Sequence, residues 1–292
     1  VPDIFCGRIP VQTTMDVATY IQKELQYELA YDRTYQKKFL FMAAKICNPY
    51  WFEAMQLLPW FEQNNLQKWE LYNPIAGGEP PYIWEGDEEL TRTSAIGSLN
   101  DGYNFVIHGD HCNPCAIGTG VEHGGGTLQR QDLLDLTNFY RHSIFWSVGC
   151  RPNKFDCDCI TKHGINNPNG FIAMVGNFDV GYSSIGYVNP GIEFFHAFFD
   201  TAFHVGQAFA YAQDFANCGK FVTIYNQGLM GDPEIPVWTD LPKELYVTHP
   251  LQIFLEPTDF EVTVMEEGLP NFSEKYGCMA STTFGWAGVV AA

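Results

Sequence analysis

His108, His111, Cys112 and Cys115 fall within eight positions of one another in the segment YNFVIHGDHCNPCAIGTG. All four are metal-ligand types, and Cys112 and Cys115 have the C-x2-C spacing of a zinc hairpin. His111 and Cys112 are adjacent and point in divergent directions, so a tetrahedral shell is hard to close locally. A disulfide or a loop-stiffening role suits the two cysteines better. The residues before His108 read as a buried strand ending in a glycine turn, and SIFWSVGC sets Cys150 just beyond a second apolar strand. Neighbouring parallel strands bring their C-terminal ends together, and ligands bind beyond those ends. A histidine on one tip and a cysteine on the next can therefore face one substrate. In that chemistry Cys150 is the nucleophile, and His108 deprotonates it and then protonates the leaving amine. The backbone N–H groups of Gly109 and Cys150 are the nearest donors for the oxyanion, and a glycine at 109 admits a peptide backbone closely.

The elements that must carry these residues alternate along the chain. Thr13 and Thr14 can cap a helix running from Asp16 to about Glu28, with Val17, Tyr20, Ile21, Leu25 and Tyr27 on its buried side. FLFMAAKI reads as a central strand, residues 50 to 64 as a second helix, and NPIAGGEPPYIWEGDEEL as a loop. YNFVI, SIFWSVG and GFIAMVG are buried strands separated by helical or turn segments, and a long helical run follows from about Gly191 to Phe215. Apolar strands alternating with helices predict an α/β fold, a mostly parallel sheet with helices on both faces. The proline-punctuated GDPEIPVWTDLPKEL reads as a linker. Beyond it LYVTHPLQIFLEPTDFEVTVMEE alternates like strands with no helix between, so the expected domains are 1–245 and a short β module, 246–292.

These segments resemble, in the same order, the gingipain-type cysteine peptidases of the wider caspase-haemoglobinase fold. DIFCGRIPVQTTMDVATYIQKELQYE is similar to the strand, Gly-Arg turn and helix that open the family's catalytic subdomain. IHG and the strand-borne Cys150 correspond to the catalytic pair, and NPNGFIAMVGNFDVGY and LMGDPEIPVWTDLPKEL to the next strand and the exit from the domain. The resemblance implies a cysteine endopeptidase acting through a thioester acyl-enzyme. It also implies an acidic residue upstream of the histidine, for which Glu53 is nearest by order and Glu62 a rival. The β module would be the start of an immunoglobulin-like domain. The family's upstream propeptide and first subdomain have no counterpart here, so an upstream subdomain or another chain is expected to complete the cleft. The loop after IHG is longer and richer in Cys and His than the family's usual loop, and Cys157 and Cys159 form an unusual C-x-C.

Composition narrows the partners. Sixteen Lys and Arg against 34 Asp and Glu, a net charge of −18, disfavour a nucleic-acid backbone or an anionic membrane surface. No run of 18 apolar residues offers a membrane span. Peptides or proteins are the expected substrates, and no cofactor is required for the chemistry. The acidic run EGDEE suggests a structural calcium site built from Asp87 and Glu89, with Asp101 folding back to join them. Nine cysteines suit a secreted or cell-surface protein with some disulfides. VPDIFCGRIP shows no leader pattern and reads as the start of a processed product or an excerpt. The alternative to a peptidase is a catalytically inactive relative that uses the same fold as a scaffold or surface assembly protein. The GGG at 124–126 lacks the G-K-[ST] of a phosphate loop.

Overall fold

The computed structural model describes residues 4–44, 66–73, 87–120, 124–181, 190–200, 204–216, 226–241, 245–249, 260–266, 274–279 and 288–291. The chain divides into two compact units, Val1–Leu241 and Pro242–Ala292. The first unit opens with α1 (Thr14–Glu28), followed by β1 (Lys38–Ala44), β2 (Gln67–Asn73), β3 (Glu88–Glu89) and α2 (Arg92–Asp101). β4 (Phe105–Gly109) leads into β5 (Cys112–Asn113), β6 (Ala116–Gly118), β7 (Thr127–Gln129) and the short α3 (Arg130–Leu134). Then come β8 (Ser143–Ser147), α4 (Ile160–Asn166), β9 (Phe171–Asn177), α5 (Pro190–Asp200), α6 (Val205–Ala216) and β10 (Gln227–Met230). The main sheet runs β10-β9-β8-β4-β1-β2-β3, parallel throughout except for β10 at the edge.

The register places the site. Ile107 pairs with Trp146 and His108 with Ser147, so YNFVI and SIFWSVG are neighbouring central strands that end together. Their long apolar runs follow from burial on both faces. On one face Phe105 stacks on Phe198 of α5, and Trp146 meets Phe194. On the other, Phe145 packs on Phe171, whose ring leaves no room for a side chain at Gly164 of α4.

α1 begins as its sequence directs: the Thr13 hydroxyl accepts from the Asp16 N–H while the Asp16 carboxylate accepts from the Thr13 N–H. Its buried side differs from the apolar one. Tyr20, Lys23 and Tyr27 are buried, whereas Val17, Ile21 and Leu25 are 42, 50 and 45% exposed. The polar tips decide this. Lys23 Nζ donates to the carbonyls of Gly164, Ile165, Asn167 and Asn169 at 2.6–3.4 Å. The Tyr20 hydroxyl donates to the Ile172 carbonyl, and that of Tyr27 to Asn104 Oδ1. Burial pulls the Lys23 ammonium towards its neutral form. The ring of carbonyl oxygens is what offsets that desolvation.

Several segments depart from the sequence reading. β2, whose QKWELYN mixes charges into its alternation, is a paired strand, and the residues after His108 fold into the small β5-β6-β7 sheet. Among its described residues, the opening segment DIFCGRIPV makes one parallel bridge, Arg8 to Met230. The long helical run is two helices, α5 and α6. The expected 50–64 helix lies outside the described residues. No helix among the described residues is long and apolar enough to cross a membrane. In the second unit, β11 (Leu245–Thr248), β12 (Phe260–Glu266), β13 (Glu274–Met279) and β14 (Gly288–Ala291) form an antiparallel meander.

The expected linker is in good part bound to the first unit. Gly231 N–H donates to Arg8 O, Trp238 Nε1 to Tyr27 O, and Asn104 Nδ2 to Trp238 O. Limited proteolysis should therefore spare 231–238 and cut C-terminal to Trp238, as mass spectrometry of the early fragments would show. Replacing Lys23 by Met leaves four carbonyls facing an apolar tip. This should cost about 3 kcal/mol in chemical denaturation.

Candidate active site

The tips of β4 and β8 are pressed together at Gly149. A Cβ on Gly149 would lie 2.2 Å from Cys112 Sγ and 2.9 Å from the Asp110 carbonyl oxygen. Only a glycine permits that approach. The turn 110–112 beyond β4 therefore lies directly on the residue preceding Cys150. Cys150 is half-buried and free, and its Sγ is 3.9 Å from the Gly181 carbonyl oxygen. Arg151, next in the chain, has φ 62°, a left-handed conformation that costs a non-glycine residue about 1 kcal/mol. Its N–H and guanidinium both bond Asp179, which holds the turn in that shape.

His108 does not reach this surface. It sits one rung inside the sheet, opposite Met42 and Ser147, and its ring is fully buried. Nε2 is 2.9 Å from the Gly118 carbonyl, which can only accept, so Nε2 carries the proton. Nδ1, 2.9 Å from Ser147 Oγ, then accepts from that hydroxyl. Ser147 Oγ in turn accepts the Gly149 N–H at 3.2 Å. Burial lowers the His108 pKa, with Asp110 acting in the opposite sense. Both ring nitrogens of His108 are thus engaged inside the sheet, away from the exposed strand tips.

The exposed histidine at this tip is His111. Its N–H donates to Asp110 Oδ1 at 2.6 Å, and Asp110 Oδ2 accepts from Gly120 N–H at 2.7 Å. Those two bonds fold the turn so that His111 stands outward while Cys112 turns in against Gly149. The sequence presents His111 only as a metal-ligand type, because the strand signal stops at Gly109. The signal for it was its place beyond the strand instead of within it.

Gly109 is still paired with Ala43, and a Cβ there would lie 4.0 Å from the Ala43 Cβ. Cys112 and Cys115 are both free thiols. Burial pushes the Cys112 thiol up to about 12, so it stays protonated at neutral pH. Cys115 is exposed, with its Sγ 3.1 Å from Arg130 Nη2. Among the described residues no group of three or more His, Cys, Asp or Glu is placed to hold a metal ion. The zinc arrangement is not formed, and Asp87, Glu89 and Asp101 do not converge as calcium ligands. Glu53 and Glu62 lie outside the described residues.

The sequence matches the model of peptidase family C25 over residues 1–238. The chain belongs to peptidase family C25. Among solved structures, this C25 chain is similar to the Arg-specific cysteine proteinase gingipain R, with 18% identity and a TM-score of 0.70. It is likewise similar to the complex of Porphyromonas gingivalis RgpB pro- and mature domains, with 18% identity and a TM-score of 0.71. In both comparisons 90% of this chain is covered and 63% of the other. A third structure, described only as a protease, matches at 15% identity and a TM-score of 0.62, covering 96% of this chain and 67% of that one. No curated protein sequence matches the chain. The C25 chain thus spans less than two thirds of the gingipain chains, and at these identities the likeness shows the fold.

His108 gives this C25 chain a pH dependence of stability. Its folded pKa lies below the usual 6.5, so its contribution is fully present above that value and is lost as pH falls from 6.5 towards the folded pKa. His142, buried and shifted the same way, adds to the slope. His108→Gln should cost about 2 kcal/mol at pH 7. It should also flatten, without abolishing, the decline in urea-unfolding free energy between pH 7 and pH 5.5.

Proposed function

We propose that this C25 chain is a cysteine endopeptidase in which Cys150 is the nucleophile and His111, not His108, is the general base. The observation that carries the reading is the contact at Gly149. It sets the turn bearing an exposed histidine against the residue preceding a free, half-buried cysteine at the neighbouring strand tip. Membership of a peptidase family supports the reaction class.

In this reading His111 takes the Cys150 thiol proton, and the sulfur attacks the scissile carbonyl carbon. The carbonyl π electrons move onto oxygen, where the Cys150 N–H donates to the oxyanion. When the oxyanion collapses, the C–N bond breaks. The amine leaves with the proton from His111, and a thioester remains. Water then attacks the thioester, giving up a proton to His111, and the carboxylic acid departs as the thiol is restored. Peptides or proteins are the substrates, outside the cell or at its surface. An upstream subdomain or a second chain supplies the rest of the cleft, and Glu53 remains the candidate acid.

The test is labelling and turnover. A peptide-directed electrophile should label Cys150 in the folded protein, as peptide mapping would show. Cys150→Ala should abolish hydrolysis of a fluorogenic peptide. His111→Ala should lower kcat about 10³-fold, whereas His108→Gln should lose stability with a smaller loss of rate. Labelling spread evenly over several cysteines, or a larger kcat loss in His108→Gln than in His111→Ala, would overturn the assignment.

A further inference from the structure

The turn carrying Cys150 has nearly all of its backbone polar groups assigned. Val148 N–H donates to His108 O at 3.1 Å, Gly149 N–H to Ser147 Oγ at 3.2 Å, and Arg151 N–H to Asp179 O at 3.0 Å. The carbonyls of Val148 and Gly149 are taken by one side chain. Asn177, the last residue of β9 and only 3% exposed, directs Nδ2 at both, at 2.9 and 2.8 Å. That uses both amide protons. Among the described residues the Cys150 N–H is the one backbone donor of positions 148–151 left without an acceptor.

The peptide bond is planar and trans, so the C=O and N–H of one unit point in opposite directions. Holding the Gly149 carbonyl towards Asn177 therefore holds the Cys150 N–H away from it. Gly181 protects the arrangement: a Cβ there would lie 2.6 Å from Asn177 Nδ2 and 2.4 Å from the Val148 carbonyl oxygen. The same Gly181 presents its own carbonyl to Cys150 Sγ. Asn177 thus fixes the orientation of the peptide unit on which the nucleophile is mounted, without being placed to touch a substrate.

We infer that Asn177 is a positioning residue for the oxyanion donor, aiming the Cys150 N–H at the carbonyl oxygen of a bound peptide. The inference deepens the peptidase reading and rests on it. An isosteric Asn177→Asp replaces a double donor with a carboxylate facing two carbonyl oxygens. The Gly149–Cys150 peptide then has no reason to keep its orientation.

Reactions that build an oxyanion should feel this change, and those that do not should escape it. The probes are the fluorogenic peptide that the wild-type protein hydrolyses fastest in a panel varying the residue before the scissile bond, the aldehyde of the same peptide, and iodoacetamide. The aldehyde forms a tetrahedral adduct with an oxyanion, whereas iodoacetamide is displaced at a saturated carbon and forms none. Asn177→Asp should lower kcat and weaken the aldehyde by about 30-fold each, short of the 10²–10³ lost with a donor itself. KM and the rate of Cys150 alkylation should stay within about twofold, since neither draws on the oxyanion donor. Thermal unfolding of Asn177→Asp establishes that it is folded, and Asn177→Ser, which keeps one donor in less volume, serves if it is not. An unchanged kcat, or equal losses of aldehyde affinity and alkylation rate, would overturn the inference while leaving Cys150 as nucleophile. Hydrolysis that survives Cys150→Ala would overturn the peptidase reading and the inference with it.

Discussion

Everything at the candidate site depends on two strand ends being allowed to touch at Gly149. A central parallel sheet sets neighbouring strands about 4.8 Å apart, but side chains at their tips would normally hold the following loops away from one another. Here one missing side chain lets Cys112 and the Asp110 carbonyl settle onto the backbone before Cys150. The neutral His108 ring locks the arrangement, because one hydrogen-bond chain runs from Gly149 N–H through Ser147 to the imidazole and on to Gly118. A buried polar chain of this kind is stable only when every member is satisfied. Protonating or removing the ring therefore disturbs β4, β6 and β8 at once.

The division of labour between the two histidines follows from that chain. The same segment contains one imidazole turned inward as a fastening and another turned outward from a turn. Their separation along the sequence is only three residues. The strand period explains it: His108 is still in register with Met42 and Ser147, and the backbone leaves the ladder only after Gly109. Position relative to the end of the ladder, more than residue type, decides which histidine meets solvent.

Much of the architecture was legible because apolar runs such as YNFVI and GFIAMVG have few alternatives to burial in a covered parallel sheet. The alternation of strands and helices then left little freedom in the fold class. Less legible were elements whose stability comes from distant partners. β2 carries Lys, Glu and Gln through its length, and β10 is short and contains a glycine. α1 buries a lysine because four carbonyls from the α4–β9 region await it, and no local pattern announces such a ring. At the site the strand before Cys150 is legible in the sequence, while the depth of His108 within the sheet is not. A strand's last rung is fixed by its neighbours, and its own sequence ran on through IHG without a break.

Trp238 has a mechanical consequence. Its indole N–H is tied to the Tyr27 carbonyl, its own carbonyl accepts from Asn104, and Asn104 also holds the Tyr27 hydroxyl and the Gln36 carbonyl. Asn104 immediately precedes β4. A tug on the chain from beyond Leu241 therefore reaches the Lys37–Asp240 ion pair and then this clasp of indole, tyrosine and amide at the N-terminal end of β4. The candidate-site turn stands at the opposite end of the same strand. The load enters where the sheet begins, and the turn at Gly149 is spared until the clasp has opened.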